Sequence, residues 1–530
     1  DLHTHTNYSI DAYVFSTQAV KGTGVVTPAD ACDFARYCSA LDFWSINDHA
    51  EGLTPRVWAD TLDAVRACNA EAGDPANPDM VSLVGWEWSN GEQDDVPSHY
   101  GHKNVIVRTW EEGSTPTRPI ASKDQYPLTG IPSMLLGLLS LSDGIAYTSD
   151  LGRYVEESRR VPRCPDGVPS PELPDDCRDV AATPLDLYRK LDEWGYDSLV
   201  IPHGLAWGTT NPLSADFLTQ MDQYEVRYQR LLETFSGHGS SERFEDFQRI
   251  AYTGEGAAYC PQATDNFTPC CRRAGEITRS RCADPDSADC KNEVDAAMQA
   301  FVDRGVPAGR KLYPDASLDD WAGCGQLRNT FQPASMYVPR MSTQYNLALG
   351  FDAEGNPKRT KFGLIGSSDN HLARPGNSYK ETNRVLYTDN KDVSGEPNWS
   401  YRVDKESGAF YYTGGLVAVH SNGRNRDAIW EALERREVYA TSGDRILLWF
   451  DLLNAPGGAV PMGSEVSMVE RPRFQVRAMG GFEQQPGCPD VASGALGEAR
   501  VQSLCGGECF RPGDRRKPIT RVEIVRIRPQ

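Results

Sequence analysis

The chain opens DLHTHTNYSIDAY, residues 1–13. Two histidines one residue apart put both imidazoles on one face of an extended strand, because side chains alternate with period two. Asp11 follows a few residues later. Taken alone, such a pair is incidental polarity more often than half a metal site. What decides the reading is whether distant segments end in the same kinds of side chain.

They do. DFWSINDHA (42–50) reads as a buried strand ending in Asp48 and His49, and MVSLVGWEWSN (80–90) as one ending at Glu87. GHKNVIVR (101–108) starts on His102, and SLVIPHGLAW (198–207) reaches His203. QRLLETFSGHGSSE (229–242) is a sixth strand with His238 beyond its end, and KFGLIGSSDNH (361–371) closes on Asp369 and His371. Helical patterns lie between them. TPADACDFARYCSAL (27–41) starts on a capping threonine followed by proline, and TPRVWADTLDAVRACNAEA (54–72) reads as a further helix. PLDLYRKLDEWG (184–195) is another.

Apolar strand, polar tip and helix in alternation are the pattern of an α/β barrel with its site at the strand C-terminal ends. An open parallel sheet or two α/β domains would give a similar pattern. Stretches at about 110–183, 250–330 and 331–360 are rich in Pro, Gly, Asp and Cys and read as surface insertions. From about 445 the texture changes. ILLWFDLL, RPRFQVRAMG and ITRVEIVRI are strand-like, separated by Gly/Pro turns. The expected organisation is therefore a barrel over 1–445 and a small β-sandwich-like domain over 446–530.

The chain of 530 residues is long enough for a large core. Its mean hydropathy is −0.52. The longest apolar stretch, SMLLGLLSLS (133–142), is too short and interrupted for a membrane span. A net charge of −20 argues against nucleic-acid binding, while bound metal can still reverse the local sign for a small anionic substrate. Fourteen cysteines, with no tight Cys-x-x-Cys pair, read as disulfides in irregular loops rather than as zinc sites. That implies export to a periplasm or the outside. A chain starting on its first ligand-bearing strand is expected to have lost a leader. Oligomeric state and disulfide pairing are left open.

The strand-end set is nitrogen and carboxylate oxygen, suited to Zn, Mn or Fe rather than to a thiolate site. On these residues the chain resembles the PHP (polymerase and histidinol phosphatase) superfamily, and within it the DUF3604 branch. The family's opening His-x-His and third ligand match His3, His5 and Asp11, although several relatives carry histidine at the Asp11 position. Its Asp-His matches Asp48-His49, with His49 the ligand. Glu87, His102 and His203 match the central ligands, and Asp369 and His371 the closing Asp-x-His. His99 competes with His102, which is preferred because it runs straight into the apolar strand.

The resemblance implies a distorted (β/α)7 barrel holding two or three divalent ions. It also implies hydrolysis of small phosphate mono- or diesters by a metal-bound hydroxide. Hydrolysis of sulfate esters or of amide and lactone bonds on the same ions is the alternative, and a metal-stabilised binding protein a weaker one. His203 or Asp369 could also move protons. Asp48 could orient a ligand histidine, or be a turn carboxylate. His238 could touch substrate or only its own loop. Lys103, Trp207, Arg374 and Arg445 are candidates for holding the substrate, Arg374 competing with a solvated-loop reading and Arg445 reaching back from the domain junction. Trp86 and Trp88 must point opposite to Glu87 and read as packing.

Overall fold

A computed structural model describes residues 1–528 except 17–23, 25, 91–98, 125–144, 207–210, 212–214, 246, 311–315, 317, 318, 322, 326, 329–336, 378 and 381–413. The strands that position the site are β1 (Phe43–Ser45), β2 (Val81–Asn90), β3 (Gly101–Val107), β4 (Ser198–His203), β5 (Leu231–Ser236) and β6 (Gly363–Gly366). β1 runs parallel to β2, and β5 parallel to β6. β3, however, is antiparallel to both β2 and β4, so the uniform parallel alternation expected from the sequence is broken there. Only ten residues separate β2 from β3 (91–100), too few for the crossover that a parallel pair needs.

Residues 1–6 join the two groups of strands. His3 O accepts from the Asp369 amide and His5 N–H donates to Asn370 O on one side. Asp1 O and Thr4 O accept from the Ser45 and Asn47 amides on the other. A bond from the Val200 amide to Tyr228 O brings β4 beside the entry to β5. The fold is thus mixed α/β with a curled sheet, and the opening segment lies among its strands.

Period-two alternation sorts the strand side chains. Leu83 and Ile106 lie on the Glu87 face, in an apolar cluster with Leu2, Phe43, Ile201, Leu231 and Ile365. On the opposite face Trp86 and Trp88 are fully buried, with indole N–H groups donating to Ile120 O and Ala181 O. Trp58, from the helix Pro55–Ala70, packs edge-on against Trp86. Thr27 caps the helix at Pro28 as its Thr-Pro signal predicts, Thr54 caps the Val57 amide, and Thr183 caps the helix at Pro184 in the same way.

The Cys-rich insertion contains the helices Cys270–Arg281 and Ala288–Arg310 and three disulfides, Cys260–Cys271, Cys270–Cys324 and Cys282–Cys290. The other four are Cys32–Cys68, Cys38–Cys505, Cys164–Cys177 and Cys488–Cys509, so all fourteen cysteines are paired. β7 (Leu416–Val419) and β8 (Val438–Thr441) pair antiparallel around the helix Arg426–Glu434. A separate C-terminal region is β-rich: β9 (Leu447–Ala455) pairs with β10 (Gly458–Val460) and β11 (Phe474–Met479). The strand expected at ITRVEIVRI does not form. Residues 519–527 have no ladder partner among the described residues, and Ile524 is 69% exposed. No helix among the described residues is long and apolar enough to cross a membrane.

Candidate metal centre

The ends of these strands converge. His3 and His5 point the same way from the first segment, and their Nε2 atoms lie 3.1 Å apart. Asp369 Oδ1 is 3.1 Å from His3 Nε2 and 3.4 Å from His5 Nε2, while Glu87 Oε2 is 3.5 Å and 3.1 Å from the same two atoms. Glu87 Oε1 meets His102 Nδ1 at 2.6 Å and His203 Nε2 at 3.3 Å. His102 and His203 share a face because they are paired in register across β3 and β4. On the far side Asp11 Oδ2 contacts His49 Nε2 at 3.0 Å and His371 Nε2 at 3.5 Å. His99 is directed elsewhere, to Asn211.

Three groupings could each hold an ion: His5, His49 and His371; His3, Glu87 and His203; and His3, His5 and Asp369. All these residues are buried. Asp11 and His102 have the more exposed side chains, 22% and 18%, so solvent reaches the cluster from their side.

The hydrogen bonds behind the cluster fix which nitrogen faces it. Ser9 Oγ donates its one hydrogen to Asp48 Oδ1 at 2.8 Å. It must therefore accept from His5 Nδ1, 2.9 Å away, which leaves the His5 Nε2 lone pair pointing inward. Asp48, which also accepts from the Thr6 amide and hydroxyl, acts on His5 through Ser9 rather than by direct contact. His371 Nδ1 lies 3.1 Å from the Asp369 carbonyl and His49 Nδ1 lies 2.6 Å from Ser89 Oγ. Asp369 itself has a left-handed backbone, φ 51°, a conformation that aspartate tolerates better than most residues. Gly414 packs behind it so tightly that a Cβ would sit 2.4 Å from Ser368 Cα.

The electrostatics suit cations. Burial outweighs neighbouring carboxylates and drives His3 down to about 3 and His102 to about 4. Both imidazoles are neutral near pH 7. Burial opposes ionisation of Glu87, yet His49, His203 and His102 hold it well below the carboxylate range. Asp11, facing His49 and His371, and Asp369, facing His3 and His238, are lowered in the same way. Burial also opposes the charge on His49, but Glu87 and Asp11 keep it well above the usual imidazole range. Apart from His49, the cluster thus offers neutral imidazole nitrogens beside ionised carboxylate oxygens. The donor set fits divalent ions.

Other predicted residues fall in different places. His238 Nε2 meets Asp369 Oδ2 at 2.6 Å, so it adjoins the cluster. Lys103 does not. It follows His102 on the strand and so faces the opposite way, fully buried, with Nζ bonded to Tyr100 O and Gln220 Oε1 and near the Trp88 ring. Arg445 is also turned away. Its guanidinium donates to Ser39 O and Ala40 O and lies over the Phe510 ring. Arg374 is buried just after the ligand turn, its amide bonded to Asn370 Oδ1. Trp207 lies outside the described residues. The residue that sequence reasoning missed is Glu233, whose Oε2 is 3.0 Å from His3 Nδ1. A single acid inside the apolar strand LLETFS was its signal.

A curled α/β sheet gathering buried His, Glu and Asp side chains able to coordinate metal ions defines the class of site. Residues 326–484 match the family model described as "Protein of unknown function (DUF3604)". A protein of Chlamydia trachomatis serovar D, described as "Uncharacterized protein", is 31% identical over 150 residues, which is 27% of this chain and 22% of that protein. One from Chlamydia muridarum with the same description is 40% identical over 104 residues, 19% of this chain and 14% of that protein. The matched stretches thus span about a fifth or less of these relatives' length. No solved structure matches the chain.

Proposed function

We propose that the protein is a metal-dependent phosphoesterase of the PHP type, its strands forming a distorted seven-stranded barrel over 1–445 and its C-terminal region a small β-sandwich-like domain over 446–530. The observation that carries this is the convergence of nine side chains, His3, His5, Asp11, His49, Glu87, His102, His203, Asp369 and His371, in one buried cluster. Two or three divalent ions (Zn, Mn or Fe) held there would supply Lewis acidity and an acidified water for attack on a small phosphate mono- or diester.

The protein's own part is positional. Ser9 and Asp48 hold His5 in one tautomer, and Glu87 lies between the two sides of the cluster. His238, hydrogen-bonded to Asp369 and 8% exposed, is placed to hold a proton for a departing alkoxide. The Asp11–His102 side offers the entry for a small anion. The seven disulfides support a periplasmic or secreted location, since such bonds persist in oxidising compartments.

The test is a panel of aryl phosphates, phosphodiesters, sulfate esters and lactones offered to metal-replete protein. Turnover of phosphorus esters is expected. Inert phosphorus esters beside rapid turnover of another class would reassign the bond cleaved.

A further inference from the structure

None of the nine clustered side chains comes from β5, yet this strand and its turn touch both members of the His3–Asp369 contact. Glu233 Oε2 is 3.0 Å from His3 Nδ1, and His238 Nε2 is 2.6 Å from Asp369 Oδ2. Glu233 is buried, 2% exposed. It stands opposite Ile365 on β6, the strand that leads into Asp369. Immediately past this pair the register slips, so that Gly366 faces Phe235 and Thr234 is passed over. Such a slip re-aims side chains beside functional sites.

Burial beside Leu231 and Ile365, with Asp369 and Glu87 nearby, pushes the Glu233 carboxyl well above the usual carboxylate range against hydrogen bonds from Ser367 and Ser236, so the group needs specific partners. Among the described residues no lysine or arginine pairs with Glu233, and the other carboxylates near His3 are Glu87 and Asp369. Besides Ser367 and Ser236, the group it faces is the outer nitrogen of His3. His3 belongs to two of the three candidate cation groupings, always through the nitrogen on the other side of the ring.

We infer that Glu233 is a positioning residue for the metal centre: it accepts the Nδ1–H of His3, fixes that tautomer and ring orientation, and so presents the Nε2 lone pair to the ion. This rests on the metal-centre reading above and extends it to a residue outside the coordinating set. Carboxylate–histidine pairs behind metals orient and strengthen the ligand, and their loss typically costs about 10–100-fold in metal affinity.

The test uses the full chain, stripped of metal and titrated with Zn²⁺ or Mn²⁺ against a chelating dye, as wild type, Glu233→Gln and Glu233→Ala. Two-bond ¹H–¹⁵N spectra of ¹⁵N-histidine protein read the His3 tautomer, and thermal melts of the metal-free forms report folding. Glu233→Gln keeps the shape and an acceptor oxygen, so it is expected to keep the tautomer and lose affinity modestly. Glu233→Ala is expected to lose about 10–100-fold and to release His3 into mixed tautomers. If Glu233→Ala fails to fold, Glu233→Gln alone decides through its affinity. Affinities within twofold of wild type in every folded variant would overturn the assignment while leaving the metal centre intact. A wild type that takes up neither ion would instead overturn the metal-centre reading, and this inference with it.

Discussion

His3 Nε2 and His5 Nε2 face each other at 3.1 Å, both side chains buried. With the His5 proton committed to Ser9, its Nε2 lone pair faces His3 Nε2 and the carboxylate oxygens of Asp369 and Glu87, all within 3.5 Å. A divalent ion placed there would meet nitrogen and oxygen donors together.

The first prediction concerns Ser9, which accepts from His5 Nδ1 and the His49 amide and donates to Asp48. Ser9→Ala leaves His5 Nδ1 and the His49 amide without this acceptor, at a cost of about 1–3 kcal/mol of stability. It should also weaken metal binding by about 10–100-fold, because His5 is no longer held in one tautomer. Urea unfolding of the metal-free protein and metal titration measure the two effects separately.

Lys103 gives a pH-dependent stability. Burial lowers it from 10.5 to about 7. Between these values the unfolded chain holds a proton that the folded chain has released, so stability rises with pH across that window. Lys103→Met removes the titration. Wild type should gain on the variant from pH 7 toward pH 10, by at most about 1.4 kcal/mol per pH unit. Urea midpoints at pH 7 and 9.5 that shift equally in both proteins would refute this.

The disulfide Cys38–Cys505 spans 467 residues of sequence, whereas Cys164–Cys177 spans 13. Loop-closure entropy grows with loop length, so the double variant Cys38→Ala/Cys505→Ala should lose more stability than Cys164→Ala/Cys177→Ala, within about 2–5 kcal/mol. The longer link also joins the C-terminal helix Glu498–Cys505 to the core around Phe34 and Tyr379. Limited proteolysis should therefore release C-terminal fragments faster from the first variant.

Trp88 tests which face of β2 is structural. It is fully buried and its indole donates to Ala181 O at 2.8 Å. Trp88→Phe should destabilise by about 1–3 kcal/mol through the unpaired carbonyl and lost packing. Turnover per folded molecule should be unchanged. A large loss of turnover at full folding would put Trp88 in the site after all.

Much of the centre was legible because the code is local. His-x-His, Asp-His and Asp-x-His each declare a face within a few residues, and the Thr-Pro start marks the helix at 28. What escaped depends on partners. The direction of β3 is set by its connection and its neighbours rather than by its own pattern. The strand-like residues 519–527 stay unpaired among the described residues because alternation alone supplies no ladder. Lys103 was misplaced by adjacency to His102, where alternation itself points it outward. Glu233 was passed over because one acid in an apolar strand gains meaning only from the His3 ring it meets across the fold.

The most direct measurement is metal content and aryl-phosphate turnover followed together on wild type, Asp369→Asn and His5→Ala, before and after chelation. Two or three divalent ions per wild-type chain are predicted, with turnover lost on stripping, restored on re-addition, and reduced by at least about 100-fold in both variants. Full wild-type turnover after verified metal removal, or unchanged metal content and rate in the variants, would contradict the account.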